Sequence, residues 1–368
     1  MTEKKTLTKE QFCVAVHILL FVALALITTV CTGCGLTARS LGAINRSLPV
    51  TPLTPSKDYS PVQTLVISPD QKYLIQGQHI TAKEGESFSG DVLQIWEIGK
   101  KKNTLVSKHQ TGANLAATFD PDSKHVISCN NMGIIRVKLQ DNTTQVFTLE
   151  EPKYLSEDGT LVACSDGEGW LIRSTTSNDM VITLPDTVER FLAFSPDKNR
   201  FAATLKRNSQ ATAGSAVGIF SLSTEAEPEL EQSFALPHAF ATAEKTRFSP
   251  NGRSLALSSR QGYIGIWDVA TGKMHQELGI HDGSIRTLEF SPDNKLLATG
   301  TQETNGKHGR IYVWDALTGK RLSQIDETQA KGVTALCFSD DNETIFFGNS
   351  SGEVKEHNIN AKSMFAFR

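Results

Sequence analysis

Apolar and polar residues alternate along most of this 368-residue chain in short runs, not in helical stripes. Ile285-Arg286-Thr287-Leu288-Glu289-Phe290 alternates, then a tight turn, Ser291-Pro292-Asp293-Asn294-Lys295, leads into the nearly continuous apolar run Leu296-Leu297-Ala298-Thr299-Gly300. A third run lies at Gly309 to Asp315, and a second turn, Ala316-Leu317-Thr318-Gly319-Lys320, leads into a fourth. Period-two alternation predicts a half-buried strand, and a short apolar run between turn signals predicts a buried one. The unit is therefore four short antiparallel strands.

The turn phrase recurs. Ser68-Pro69-Asp70-Gln71-Lys72 and Asp120-Pro121-Asp122-Ser123-Lys124 are followed by copies beginning at Ser156, Ser195, Ser249, Ser291 and Ser339. Successive starts lie 52, 36, 39, 54, 42 and 48 residues apart. Proline presets φ for the first corner of a type I turn, and Asp, Asn or Gly tolerate the conformations of the later corners. Seven four-stranded units at this period predict an all-β, seven-bladed β-propeller over residues 61–368. Two segments compete to supply the strand that closes the ring: Ser363 to Phe367, or Ile44 to Val50.

The repeats resemble the WD-repeat family. Trp267-Asp268 and Trp314-Asp315 are full copies of its namesake dipeptide and Trp96-Glu97 is a near copy, while the other four units have lost it. The resemblance implies that His281 hydrogen-bonds to Thr299 and through it to Trp314, a structural role shared by the tryptophans Trp267 and Trp96.

The N-terminus departs from the repeat. Lys4, Lys5 and Lys9 precede an apolar run from Phe12 to Val30, and small residues come after it, the order of a secretory signal. The run is long enough to span a bilayer, so a single-pass anchor retained in the inner membrane is the rival reading. Thr32-Gly33-Cys34 resembles the end of a bacterial lipoprotein signal, which implies lipidation of Cys34. With Gly35 next, the enterobacterial sorting rule implies an outer-membrane location facing the periplasm. Residues 1–33 are then signal or anchor. Residues 34–60, with Pro49, Pro52 and Pro55, form a spacer.

Net charge is -3, which gives no basic balance for nucleic acid. The sequence holds no phosphate loop, no His-Glu-x-x-His and no Gly-x-Ser-x-Gly elbow. No cofactor or metal site is expected. Asp70, Asp122, Asp197 and Asp293 fall in the repeat turns and are read as turn caps. Cys129, Cys164 and Cys337 fall in strands and are read as buried thiols; register places Cys129 and Cys164 on opposite sheet faces, against a disulfide.

Insertions point to the working surface. The first, fourth and sixth units have long connections between second and third strands, at Gln78 to Asp91, Lys206 to Ala216 and Gln302 to Gly309. Antiparallel order puts all three on one side of the disc. They bring Lys83, Glu84, Glu86, Lys206, Arg207, Lys307 and His308 there, with Arg286 near the start of an inner strand. The expected function is a membrane-tethered, non-catalytic scaffold for protein partners in the cell envelope. A propeller enzyme of lactonase or quinoprotein type at the channel mouth and an envelope assembly factor are the alternatives.

Overall fold

The computed structural model describes residues 61–80, 90–98, 104–112, 116–130, 133–149, 151–165, 167–177, 181–206, 216–223, 226–237, 243–279, 281, 283–303, 308–327 and 332–359. Blade 1 consists of β1 (Val62–Ile67), β2 (Tyr73–Ile80), β3 (Gly90–Glu97) and β4 (Thr104–Gly112). Blade 2 is β5 (Ala116–Phe119), β6 (His125–Asn130), β7 (Gly133–Lys138) and β8 (Thr144–Thr148). Blade 3 is β9 (Pro152–Leu155), β10 (Leu161–Ser165), β11 (Trp170–Ser174) and β12 (Val181–Thr183). Blade 4 is β13 (Val188–Phe194), β14 (Arg200–Leu205), β15 (Ala216–Ser221) and β16 (Leu230–Ala235). Blade 5 is β17 (Ala243–Phe248), β18 (Ser254–Ser259), β19 (Ile264–Asp268) and β20 (Met274–Leu278). Blade 6 is β21 (Gly283–Phe290), β22 (Leu296–Glu303), β23 (Gly309–Asp315) and β24 (Arg321–Glu327). Blade 7 shows three described strands, β25 (Val333–Phe338), β26 (Thr344–Asn349) and β27 (Val354–Asn358). Both candidates for its fourth strand lie outside the described residues.

Each blade is antiparallel in simple sequence order. The first strands β1, β5, β9, β13, β17, β21 and β25 contact one another in turn, and β25 returns to β1. This is a closed seven-bladed β-propeller around a central channel. The core is divided accordingly into seven apolar wedges, one between each pair of neighbouring blades. Middle strands are buried on both sides, as in β14 and β18, which explains their unbroken apolar runs. Blade 7 packs on blade 1 through Ala335, Cys337 and Phe346 against Val62, Leu65 and Leu74. At that seam Gly348 leaves no room for a side chain: a Cβ there would stand 2.5 Å from Val62.

The repeated phrase forms the turn between first and second strands. The residue three positions after its start has positive φ in all seven blades, at Gln71, Ser123, Gly159, Lys198, Gly252, Asn294 and Asn342. Its N–H closes the turn on the first residue's carbonyl, for example Asn294 to Ser291 at 2.9 Å. The buried serine donates to the adjoining Asp, as Ser291 Oγ does to Asp293 Oδ1 at 2.7 Å, and accepts the Leu296 N–H at 2.9 Å. Asp293 Oδ1 accepts the Lys295 N–H. Blade 2 differs from expectation. There Asp120 stands in place of serine and accepts both the Lys124 and His125 N–H groups at 2.8 Å, while Asp122 pairs with the Lys124 ammonium.

Turns of neighbouring blades are latched together. The Asp70 N–H donates to Ser123 Oγ, Asn251 to Asn294 Oδ1, Asp293 to Asn342 Oδ1 and Asp340 to Gln71 Oε1. The last of these crosses the seam between blades 7 and 1. Between blades 3 and 4 the Lys198 ammonium donates to Asp158 at 2.6 Å.

One expectation holds with an addition and one needs correction. Cys129 and Cys164 are free and buried, but they pack in one wedge between blades 2 and 3. Opposite sheet faces do not separate residues of successive blades, because the rear of one blade meets the front of the next. Burial pushes the Cys129 thiol up to about 12 and the Cys164 thiol up to about 11. The insertions are also shorter than the apolar pattern indicated. β2 and β3 pair as far as Ile80 with Gly90, and β22 runs to Glu303, because backbone pairing continues where alternation has ended.

Candidate binding face and channel mouth

Strand order defines two faces. First-to-second and third-to-fourth turns lie on one, the turn face. Second-to-third connections lie on the other, the loop face. On the loop face the connections after β2 and β14 are long and the one after β22 is intermediate, whereas β6 reaches β7 through residues 131–132 alone. Lys83, Glu84, Glu86, Arg207 and Lys307 lie outside the described residues, as does Cys34. Lys206 and His308 are exposed at the edges of these connections. The Lys206 N–H is held by the Thr187 carbonyl at 2.8 Å.

Arg286 stands at the channel mouth on the same face. Five inner strands carry a register shift at this end, between Val62 and Thr64, Val188 and Arg190, Ala243 and Thr246, Ile285 and Thr287, and Val333 and Ala335. A bulge leaves an extra residue unpaired and re-aims side chains. Here Gln63, Arg190, Lys245, Arg286 and Thr334 all line the channel, which encloses about 730 Å³. Arg286 directs Nε and Nη2 onto Gln302 Oε1 at 2.9 and 2.7 Å. Arg190 donates to the Ala243 carbonyl of the next blade. Burial pushes the Lys245 ammonium down; Arg286 and Arg247 add to the shift and Glu244 opposes it.

Deeper in the channel Arg247 Nη2 meets Glu289 Oε2 at 2.5 Å across blades 5 and 6. Desolvation pushes the Glu289 carboxyl up, with Arg247 working against the shift and the nearby Glu157 with it. The Cys337 thiol beside them is pushed up by burial. The charges of β13, β17 and β21 were missed as a set in the sequence, although comparing repeats at this position shows polar residues where an apolar inner strand is the simplest choice.

His281, Thr299 and Trp314 meet inside blade 6. Trp314 Nε1 donates to Thr299 Oγ1 at 3.1 Å, and Thr299 Oγ1 lies 2.9 Å from His281 Nε2. With His281 Nδ1 3.3 Å from the Gly262 carbonyl, a neutral imidazole protonated on Nδ1 satisfies every member. All three side chains are buried. Trp267 is buried in blade 5 and stacks on Phe234 at 5.7 Å. Trp96 lacks this arrangement: its buried indole N–H has no partner, because Gln76, at the position of Thr299, donates instead to the Gly352 carbonyl.

The WD aspartates cap the outer turns. Asp268 Oδ1 accepts from the Thr271 N–H and hydroxyl, and Asp315 Oδ1 from the Leu317 and Thr318 N–H groups. Asp120, Asp122 and His125 bring three potential ligand atoms together. His125 Nδ1 is already 2.6 Å from Asp120 and the Arg136 guanidinium 3.5 Å from the same carboxyl, so these groups are engaged as turn machinery.

Closed ring, latched turns and seven inter-blade wedges together define a seven-bladed β-propeller fold. Within it, residues 272–315 match the family model "WD domain, G-beta repeat". The WD repeat-containing protein 26 homolog of Drosophila melanogaster is 27% identical over 113 residues, which span 29% of this chain and 18% of that protein. Among solved structures, the Cps50 (Swd1) β-propeller domain of Myceliophteria thermophila superposes with a TM-score of 0.62 at 13% identity, covering 81% of this chain and 97% of that one. Kuenenia stuttgartiensis hydrazine synthase superposes with a TM-score of 0.59 at 15% identity, covering 84% and 98%. At these identities both share the fold alone.

Proposed function

We propose that this chain is a membrane-tethered, non-catalytic scaffold whose loop face holds a protein partner in the cell envelope. The observation that carries the reading is the asymmetry of the two faces. The turn face is closed by seven tight turns, each bonded to at least one neighbour, whereas the loop face gathers the insertions and carries the charged channel mouth. Insertions collected on one side of a repeat protein commonly form its binding surface. The WD-repeat match over 272–315 agrees with a role in protein interaction. An enzyme at this mouth would need several acids or bases converging at one level; of the described residues lining the loop-face end, Glu244 is the one carboxylate.

Replacing residues 81–89, 207–215 and 304–307 with short Gly-Ser links and capturing envelope proteins on the purified chain tests the reading. Loss of a captured protein with an unchanged unfolding midpoint is expected. Unchanged capture overturns it. The tether rests on the order of charge, apolar run and small residues before Cys34. Two or more acyl chains suffice for stable anchoring, and the outer membrane facing the periplasm is the proposed site. The mass of the native N-terminus is expected to correspond to acylated Cys34; an intact Met1 would instead establish a single-pass anchor.

A further inference from the structure

The inner strands of blades 4, 5 and 6 bring Arg190, Lys245 and Arg286 into the channel lining toward its loop-face end, each at or beside a bulge. Their hydrogen bonds leave their charge in place. Arg190 and Arg286 donate to neutral oxygens, a backbone carbonyl and the Gln302 amide. Lys245 shares its surroundings with Arg286 and Arg247, and Glu244 is the carboxylate that opposes them. Arg247 is itself committed to Glu289 deeper in. Three cations held together by backbone geometry, with one carboxylate to balance them, cost electrostatic energy in the resting protein, and an anion entering the mouth removes that cost. Gln63 adds a neutral amide donor to the channel lining, whereas the Thr334 hydroxyl is already given to the Gly348 carbonyl at 3.2 Å.

We propose that the loop-face mouth of the channel is an oxyanion site, built by Arg190, Lys245 and Arg286 to receive a carboxylate or phosphate group. The channel these residues line holds about 730 Å³, a volume that accommodates a side chain. Two sources carry this chemistry: an acidic segment of a bound protein, or a free oxyanion. The first deepens the partner-face reading and rests on it; the second does not need it.

Calorimetric titration of the full chain at low salt with a hexaglutamate peptide, and separately with inorganic phosphate, tests the site. The variants are Lys245→Gln with Arg286→Gln, and Lys273→Gln at an outer turn on the opposite face as a control. Loss of charge-assisted hydrogen bonds is expected to weaken binding by about tenfold or more in the double variant and to leave the control unchanged. Peptide binding lost in the double variant assigns the site to an acidic segment. Phosphate binding lost in the same variant, with no peptide binding, assigns it to a free oxyanion. The proposal is overturned if neither probe binds the wild-type chain, or if the double variant binds as well as the wild type. Because neither probe is a cellular partner, failure here with successful envelope capture removes only the oxyanion site. Failed capture with peptide bound removes only the envelope scaffold.

Discussion

The turn face and the loop face are built from the same seven blades under different demands. On the turn face the backbone needs a hydroxyl or carboxylate to hold buried N–H groups and a residue that tolerates positive φ three positions on. Those needs recur seven times, so the residues recur. Asp120 proves the rule by exception: it is not serine, yet it accepts the same N–H groups. On the loop face strands end without such a requirement. Connection length and composition are free there, at little cost in loop-closure entropy. Regularity on one face is thus structural, and variation on the other leaves room for function.

In blade 6 a buried network runs from His281, just before β21, through Thr299 of β22 to Trp314 of β23, and breaking it should give the largest effect. Thr299→Val takes the shared hydroxyl away from both the buried Trp314 indole N–H and His281 Nε2, for a loss of about 2–4 kcal/mol in urea unfolding. Adding Trp314→Phe should restore part of that loss, since removing both polar partners is milder than removing one. Blade 4 already contains such a pairing, Phe220 with Ala203, and there Phe220 stacks on Phe201 at 4.9 Å. A double variant no more stable than Thr299→Val would show that the hydrogen-bond chain does not hold the blade.

A direct contrast between the faces comes next. Ser291→Ala orphans the Leu296 N–H and removes the donor to Asp293, with an expected cost of about 1–2 kcal/mol. Lys206→Ala on the loop face should stay within about 0.5 kcal/mol, as for an exposed side chain. Equal shifts in unfolding midpoint would erase the distinction.

Much of this was legible in the sequence, and the reason is local. Turn chemistry is written in adjacent residues, so three Ser-Pro-Asp turns and four variants of the same phrase fix blade number and strand order. The alignment of His281, Thr299 and Trp314 was implied by the WD-repeat resemblance, not by turn chemistry, and the hydrogen bonds agree with it. What the sequence concealed depends on contact between blades. Register arithmetic correctly set Cys129 and Cys164 on opposite faces, but it could not show that those faces meet. The convergence of Arg190, Lys245 and Arg286 requires bulges in three separate strands, and a bulge leaves little mark on alternation. The orphan Trp96 N–H depends on Gln76 reaching Gly352, 276 residues away.

A finer test concerns the positive-φ position. Asn294 has φ 64° and its side chain latches the Asn251 N–H of the preceding blade at 2.8 Å. Asn294→Val combines a β-branched residue in the left-handed region with loss of that latch, and about 1–2 kcal/mol is expected. Asn294→Gly relieves the backbone and loses the latch alone, so it should cost distinctly less. If the two variants unfold together in urea, the latch and not the backbone is what this position supplies.

The smallest effect is expected from charge. In Asp70, Asp197 and Asp293 partial burial raises the carboxyl pKa, but the serine hydroxyl and backbone N–H groups outweigh it, and the net shift is downward. At Asp341 the Ser339 hydroxyl is the leading cause of a downward shift. A carboxyl whose folded pKa lies below its unfolded value, about 3.9, stabilises the fold fully above that pH and loses the contribution as pH falls through the folded value. Turn-face stability should therefore decline on acidification below about pH 4. Asp341→Asn keeps an acceptor, as Asn251 does in blade 5, where Ser249 Oγ donates to Asn251 Oδ1 at 2.8 Å. It removes one titrating group, so unfolding followed by tryptophan fluorescence from pH 7 to pH 2 should show a slightly shallower acid limb and little change at neutral pH. An unchanged acid limb would mean that this turn aspartate acts through its geometry alone, and that the charge of the turn face is incidental to its order.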